Sequence, residues 1–270
     1  MSAADYFVKV CGITTEEDAL LAVALGATAV GFVFAPSKRQ VAPGAVADIV
    51  KRLPPEVLRV GVFRDEAPER VSLICNRVGL NGAQLHGHET PEETKWLSGR
   101  VPLVIKAFSA TDPRISEAAR YGAFAIHLDA AQPGSGTTFD WGVASTVPKG
   151  HRLIVAGGLN PSNVAEAIAV TGCFGVDVST GVEKTPGHKD PIKLREFIKE
   201  ATRAFETREL QGLRGPKAPS AATATSGPRR RPPVPAAGTP RDRQVPVASR
   251  SPIGRAGSTD RGPYDWQKDI

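Results

Sequence analysis

The stretch LIVAGGLNPSNVAEAIAVTGCFGVDVSTGV, residues 153–182, holds two short apolar runs, each followed by a loop of small residues. Leu153-Ile154-Val155-Ala156 leads into Gly157-Gly158-Leu159-Asn160, and Phe174-Gly175-Val176-Asp177-Val178 leads into Ser179-Thr180-Gly181. Between them, Asn160-Pro161-Ser162-Asn163 opens a helical pattern. Continuous apolar runs this short read as strands buried on both faces, as in a parallel sheet. The unit is therefore strand, glycine loop, helix, strand, glycine loop.

Towards the N-terminus the same kind of run recurs six times: FVKV (7–10), AVGFVF (29–34), LRVGVF (58–63), GAQL (82–85), LVIKAF (103–108) and AFAIHL (123–128). Helical segments separate most of them. Thr14 or Thr15 caps the first, with Glu16, Glu17 and Asp18 in its first turn and Gly26 at its end. Pro43, Pro68, Pro91 and Pro191 open others, the position where a missing N–H costs least. Eight strands, each followed by a helix or short helical turn, predict an α/β protein of the (β/α)8 TIM-barrel type. A doubly wound open sheet fits less well, because Cys11-Gly12 follows the first strand in place of a dinucleotide-binding G-x-G-x-x-G turn.

The rest of the composition sets limits. The chain has 270 residues, 41% hydrophobic and 23% charged, ordinary for a globular protein. No apolar run reaches the ~18 residues of a membrane span, and the opening MSAADYFVKV is not a secretory signal. Three cysteines, Cys11, Cys75 and Cys173, are too few and scattered for a disulfide framework or zinc site, so a cytoplasmic location is expected. The five histidines show no metal-binding spacing, and no metal is expected. The net charge of +6 comes from the end of the chain: residues 212–270 hold eleven Arg or Lys and four Asp, hence +7, leaving −1 on residues 1–211. Those last 59 residues include ten Pro, seven Gly, one Leu and no Phe, too little apolar surface to offset the entropy of ordering them. The expected organisation is a barrel domain over 1–211 and a disordered basic tail over 212–270. Arg229-Arg230-Arg231 could attract nucleic acid, but no aromatic residues interleave with them. Nucleic acid is not an expected partner, nor is a membrane. No exposed apolar stripe stands out, so a monomer is expected.

A barrel of this type places its active site where the strands end. The polar residues expected there are Lys9, Cys11, Arg39, Arg64, Asp65, His86, Lys106, Asp129, Asp177, Ser179 and Thr180. Gly157, Gly158 and Gly181 belong to the loops after strands 7 and 8, which in barrels frequently hold a phosphate on backbone N–H groups; tight turns are the plainer use of such glycines. Cys11 can be a catalyst or a small buried hydrophobe. Asp129 can be an acid or a turn cap. Lys9 shares the face of Cys11 one pleat deeper and is no obvious helper. His127 shares the face of Asp129.

Together these motifs resemble one family, the phosphoribosylanthranilate isomerases. The likeness rests on Lys9-Val10-Cys11-Gly12-Ile13-Thr14, on Gly31-Phe32-Val33-Phe34 with Ser37-Lys38-Arg39, on Val60-Gly61-Val62-Phe63 and on Gln84-Leu85-His86-Gly87. It continues through Leu128-Asp129, Gly136-Thr137-Thr138-Phe139-Asp140-Trp141, Ala156-Gly157-Gly158-Leu159 and Gly175-Val176-Asp177-Val178-Ser179-Thr180-Gly181-Val182-Glu183. The resemblance implies an Amadori rearrangement of N-(5′-phosphoribosyl)anthranilate in tryptophan biosynthesis, with a small-molecule substrate and no cofactor. It implies Cys11 as general base and Asp129 as general acid. The phosphate would rest on Gly157, Gly158, Ser179 and Gly181. Arg39 is the candidate for the anthranilate carboxylate, and Asp177 for the ribose hydroxyls or the amine. A free thiol is only about 3% ionised at pH 7, so the site must lower that pKa or move the proton in concert. Thr15, Gln40, the loop 132–136 and Ser179-Thr180 depart from the family's usual pattern without touching the acid/base pair. A histidine-pathway isomerase would end strand 1 in aspartate, and a ribulose-phosphate epimerase would show metal-binding histidines. Cys11 and the histidine spacing argue against both.

Overall fold

The eight apolar runs are eight strands, and they pair in chain order. The structure, a computed structural model, describes residues 6–130, 140–210 and 212. Strands β1 (Phe7–Val10), β2 (Ala29–Val33), β3 (Leu58–Phe63), β4 (Gly82–Leu85), β5 (Leu103–Ser109), β6 (Ala125–Asp129), β7 (Leu153–Val155) and β8 (Gly175–Val178) form a closed barrel. Every pairing is parallel, and β8 closes onto β1 with Lys9 opposite Asp177. The expected (β/α)8 barrel is what forms. The basic tail expected from residue 212 lies, apart from Gly212, outside the described residues, as do the loop 132–136 and the Gly136-Thr137-Thr138-Phe139 part of its motif.

Alternation along each strand explains why the runs are apolar throughout. In β1, Val8 and Val10 face outward yet are fully buried, because helices cover the barrel. Inward residues fill its interior. At the strand starts these are apolar: Phe7, Leu58, Leu103, Ala125, Ile154 and Phe174 form one buried cluster, and each large member contributes roughly 1.5–3 kcal/mol by leaving water. One pleat higher come Lys9, His127 and Asp177, and beyond them Cys11, Asp129 and Ser179. The barrel interior is apolar at its base and polar in the two layers above it.

The helices start where the sequence signals them. Thr15 caps α1 (Glu16–Ala24) by accepting from Asp18 N. Prolines open α2 (Pro43–Val50), α3 (Pro68–Val78), α4 (Pro91–Ser98) and α6 (Pro191–Leu210). Helix α5 (Val164–Thr171) begins later than the Asn160 start the sequence suggested. Asn160 and Asn163 instead bind each other's loop: Asn160 N donates to Asn163 Oδ1, and Asn163 Nδ2 to the Gly158 carbonyl. Units 5 and 6 carry 3-10 turns, Pro113–Tyr121 and Trp141–Thr146, in place of α-helices. A two-stranded hairpin, β9 (Glu183–Thr185) and β10 (His188–Lys189), follows β8 and was not foreseen. Helix α6 ends at the base of the barrel. Phe205 stacks on Tyr6 at 4.9 Å, just before β1, and Arg208 donates to the Cys173 carbonyl, just before β8.

Candidate active site

A cavity of about 400 Å3 opens at the C-terminal ends of the strands. It gathers Cys11, Arg39, Arg64, His86, Asp129, Gly157, Gly158, Asp177, Ser179, Thr180 and Gly181 from seven of the loops and strand ends expected to hold it. Asp65 and Lys106 do not line it. Asp65 is held by His88, and Lys106 turns into a buried pair with Glu89 at 2.7 Å.

Cys11 sits at the top of β1, its N–H tied to the Val178 carbonyl at 2.8 Å. Burial, helped by the charge of Asp177, leaves its thiol above the ordinary value, although Lys9 and, more weakly, Lys189 pull it down. Lys9 does lie one pleat deeper, but its side chain is long enough to span that pleat. A Cβ placed on Gly31 would sit 2.9 Å from Cys11 Sγ and 3.1 Å from Lys9 Nζ, so sulfur and ammonium share one side of that glycine. The sequence-based reading of Lys9 as no helper is corrected by this reach.

A fully buried lysine carries a desolvation cost of several kcal/mol unless it is paired. Lys9 Nζ meets Asp177 Oδ2 at 2.7 Å. Burial works against its charge, but Asp177 and Cys11 outweigh it and hold the ammonium above its usual range. The same Asp177 oxygen takes His127 Nε2 at 2.9 Å. Burial favours the neutral carboxyl there too, yet Lys9 and His127 win and keep Asp177 below the ordinary carboxylate range. Its other oxygen, Oδ1, is buried with no partner among the described residues.

Asp129 ends β6 on the far wall from Cys11. Burial raises its carboxyl, only partly offset by His127 and by the Ala130 N–H, which donates to Oδ1 at 2.8 Å. His86 Nε2 lies 3.5 Å from Oδ2. Burial, with the neighbouring His127 and Lys9, pushes His86 down to about 3, so it stands beside the acid as a neutral ring. Gly157 is packed under the same carboxyl at φ +75, and a Cβ there would come within 2.5 Å of Ala130 N and 3.0 Å of Asp129 Oδ1. The glycine of loop 7 therefore makes room for the Asp129 carboxyl.

Loops 7 and 8 touch. A Cβ on Gly181 would fall 1.9 Å from the Leu159 carbonyl oxygen, so only glycine permits their approach. Ser179 Oγ is buried with no partner among the described residues. Arg39, from the loop after β2, reaches loop 8 at Thr180 and is held side-on by Glu183. Sequence reasoning missed Lys189 and Glu183 as site components, and it placed Lys9 at the strand ends without giving it a role. Glu183 does stand in the last quoted motif, and Lys9 shares the inward face of Cys11; Lys189 had no such signal. Among the described residues, no cluster of three His, Cys, Asp or Glu side chains could hold a metal, and no helix is long and apolar enough to cross a membrane.

Comparison with known proteins points one way. The family described as N-(5′-phosphoribosyl)anthranilate isomerase matches residues 8–200. An enzyme of that name from Desulforudis audaxviator is 48% identical over 205 residues, covering 73% of this chain and 98% of its own. A solved phosphoribosyl anthranilate isomerase in complex with reduced 1-(o-carboxyphenylamino)-1-deoxyribulose 5-phosphate is 44% identical, with a TM-score of 0.65, over 73% of this chain and 99% of that one. Monomers made from the dimeric phosphoribosylanthranilate isomerase of Thermotoga maritima are 43% identical, with the same TM-score and coverage of 73% and 99%.

Proposed function

The chain belongs to the N-(5′-phosphoribosyl)anthranilate isomerase family, and from that premise we infer which of its groups carry the reaction. The protein converts N-(5′-phosphoribosyl)anthranilate to 1-(2-carboxyphenylamino)-1-deoxyribulose 5-phosphate, an Amadori rearrangement in tryptophan biosynthesis. The observation that carries the residue assignment is a thiol and a protonatable carboxyl on opposite walls of one cavity.

Asp129 is the general acid. Its buried, raised carboxyl gives a proton to the furanose ring oxygen as the C1′–O4′ bond breaks, and the nitrogen lone pair closes the iminium. Cys11 is the general base. Its thiolate removes the proton from C2′, and the C–H electron pair becomes the C1′=C2′ bond of the enolamine. Tautomerisation gives the ketose. Each cycle leaves a proton on sulfur and removes one from the carboxyl, so both must reset before the next. Lys9 is the counter-charge that lessens, without cancelling, the upward push of burial on the thiol.

The phosphate rests on loops 7 and 8, through Gly157, Gly158, Ser179 and Gly181. Asp177 Oδ1, buried and unpaired, accepts from a ribose hydroxyl or the amine, and Arg39 receives the anthranilate carboxylate. The exposed large apolar residues Leu20, Leu73, Val170, Ile192 and Leu210 belong to separate helices except the last two, which lie at opposite ends of α6. That spacing favours a monomer, although a relative is dimeric. Free cysteines at 11, 75 and 173 favour a cytoplasmic location.

The test is turnover of freshly made phosphoribosylanthranilate, read as loss of its fluorescence. Cys11→Ala and Asp129→Asn should each lower kcat by about 10²–10⁴, the usual worth of a positioned acid or base. A folded variant that keeps near-normal turnover would remove that residue from its role.

A further inference from the structure

Glu183 opens β9 and meets Arg39 along one edge of the guanidinium. Arg39 Nε donates to Oε1 at 2.7 Å and Nη2 to Oε2 at 2.6 Å. Nη2 also donates to Thr180 Oγ1 at 3.1 Å. Among the described residues nothing takes Nη1, so the guanidinium keeps the N–H groups of that nitrogen to offer, on a side chain that lines the cavity. Glu183 is itself fixed. Its Oε1 accepts from Lys189 Nζ at 3.1 Å and Gly187 N at 3.3 Å, and the same Lys189 Nζ donates to the Cys11 carbonyl at 2.6 Å. One carboxylate therefore anchors the arginine and, through Lys189, the backbone of the residue that bears the thiol.

We propose that Glu183 is a positioning residue that makes Arg39 selective for the planar carboxylate on the substrate's aromatic amine. This rests on Arg39 as the carboxylate's partner. An unrestrained arginine has many rotamers to lose and would attract any anion within reach, including the substrate's own phosphate. Held side-on, it presents only its remaining N–H groups in a fixed plane, which suits a planar anion entering from one direction. The ordering cost is met by Glu183 before substrate arrives.

The experiment compares two substrates across variants of the full chain. One is phosphoribosylanthranilate; the other is the glycosylamine of aniline with ribose 5-phosphate, which lacks the carboxylate, followed by NMR. The wild type should favour the first in kcat/KM by about 10²-fold or more, as sites built around a polar group do. In Glu183→Gln that preference should shrink by about tenfold or more, through a higher KM for phosphoribosylanthranilate. The rate with the aniline compound should stay within about threefold. Glu183→Asp, which keeps the charge on a shorter stem, should fall between, and thermal melting checks that each variant is folded. Equal losses on both substrates would make Glu183 a brace for the hairpin and overturn the proposal, as would no loss on either. If the wild type does not discriminate, and Arg39→Ala leaves both rates alike, the assignment of Arg39 to the carboxylate fails and this proposal falls with it. Loss of turnover in Cys11→Ala and Asp129→Asn would still stand apart.

Discussion

Asp129 carries a stability consequence separate from catalysis. Burial holds its folded-state carboxyl above the ordinary value of 3.8. A raised carboxyl favours the folded state while protonated, and that advantage is lost as pH rises through the raised value. Asp129→Asn should therefore melt a few degrees higher than wild type at pH 7 to 8, with the difference shrinking towards zero near pH 4. A melting series across that range measures it, and a constant offset would place the effect elsewhere. The carboxyl and the thiol were both legible as strand-end residues, because alternation in a strand decides which side chains face inward. What alternation does not reveal is reach. Lys9 was placed one pleat too deep to matter, yet its ammonium stands beside the sulfur. The Arg39–Glu183 pair joins positions 144 residues apart, and no local pattern in a single sequence encodes such a contact.

Loops 7 and 8 meet through Gly181, and the close approach allows no side chain there. Gly181→Ala should force the two loops apart. KM for phosphoribosylanthranilate should rise about tenfold or more, since a shift of about 1 Å is enough to cost that much, with weaker competition by inorganic phosphate. Unchanged KM and unchanged phosphate inhibition would separate these loops from the phosphate. The strands and most helices were readable because each is driven by its own residues: continuous apolar runs covered on both faces, and prolines at helix starts. The β9–β10 hairpin was not. Its strands are three and two residues long, too short for any period to show. Charged contacts hold it in place: Lys189 to Glu183 and Cys11, and Lys189 N to Asp18. The segments after β5 and β6 likewise gave weak patterns and form 3-10 turns.

The chain as a whole divides, by our reading, into a barrel unit through residue 211 and a basic tail. Cutting the chain after Gly212 should leave kcat/KM within about twofold and the melting temperature unchanged, because the last helix already packs its own apolar face on the barrel through Leu194, Phe197, Ile198, Ala201 and Phe205. A large loss of activity would make the tail part of the enzyme. The position of that last helix has a wider meaning. Phe205 on Tyr6 and Arg208 on Cys173 fix its end at the strand starts, whereas the cavity opens at the strand ends. The molecule thus has a working pole and a growing pole. Sequence added, lost or exchanged past the final helix begins at the growing pole, so a lineage can try out appendages there while its chemistry stays untouched.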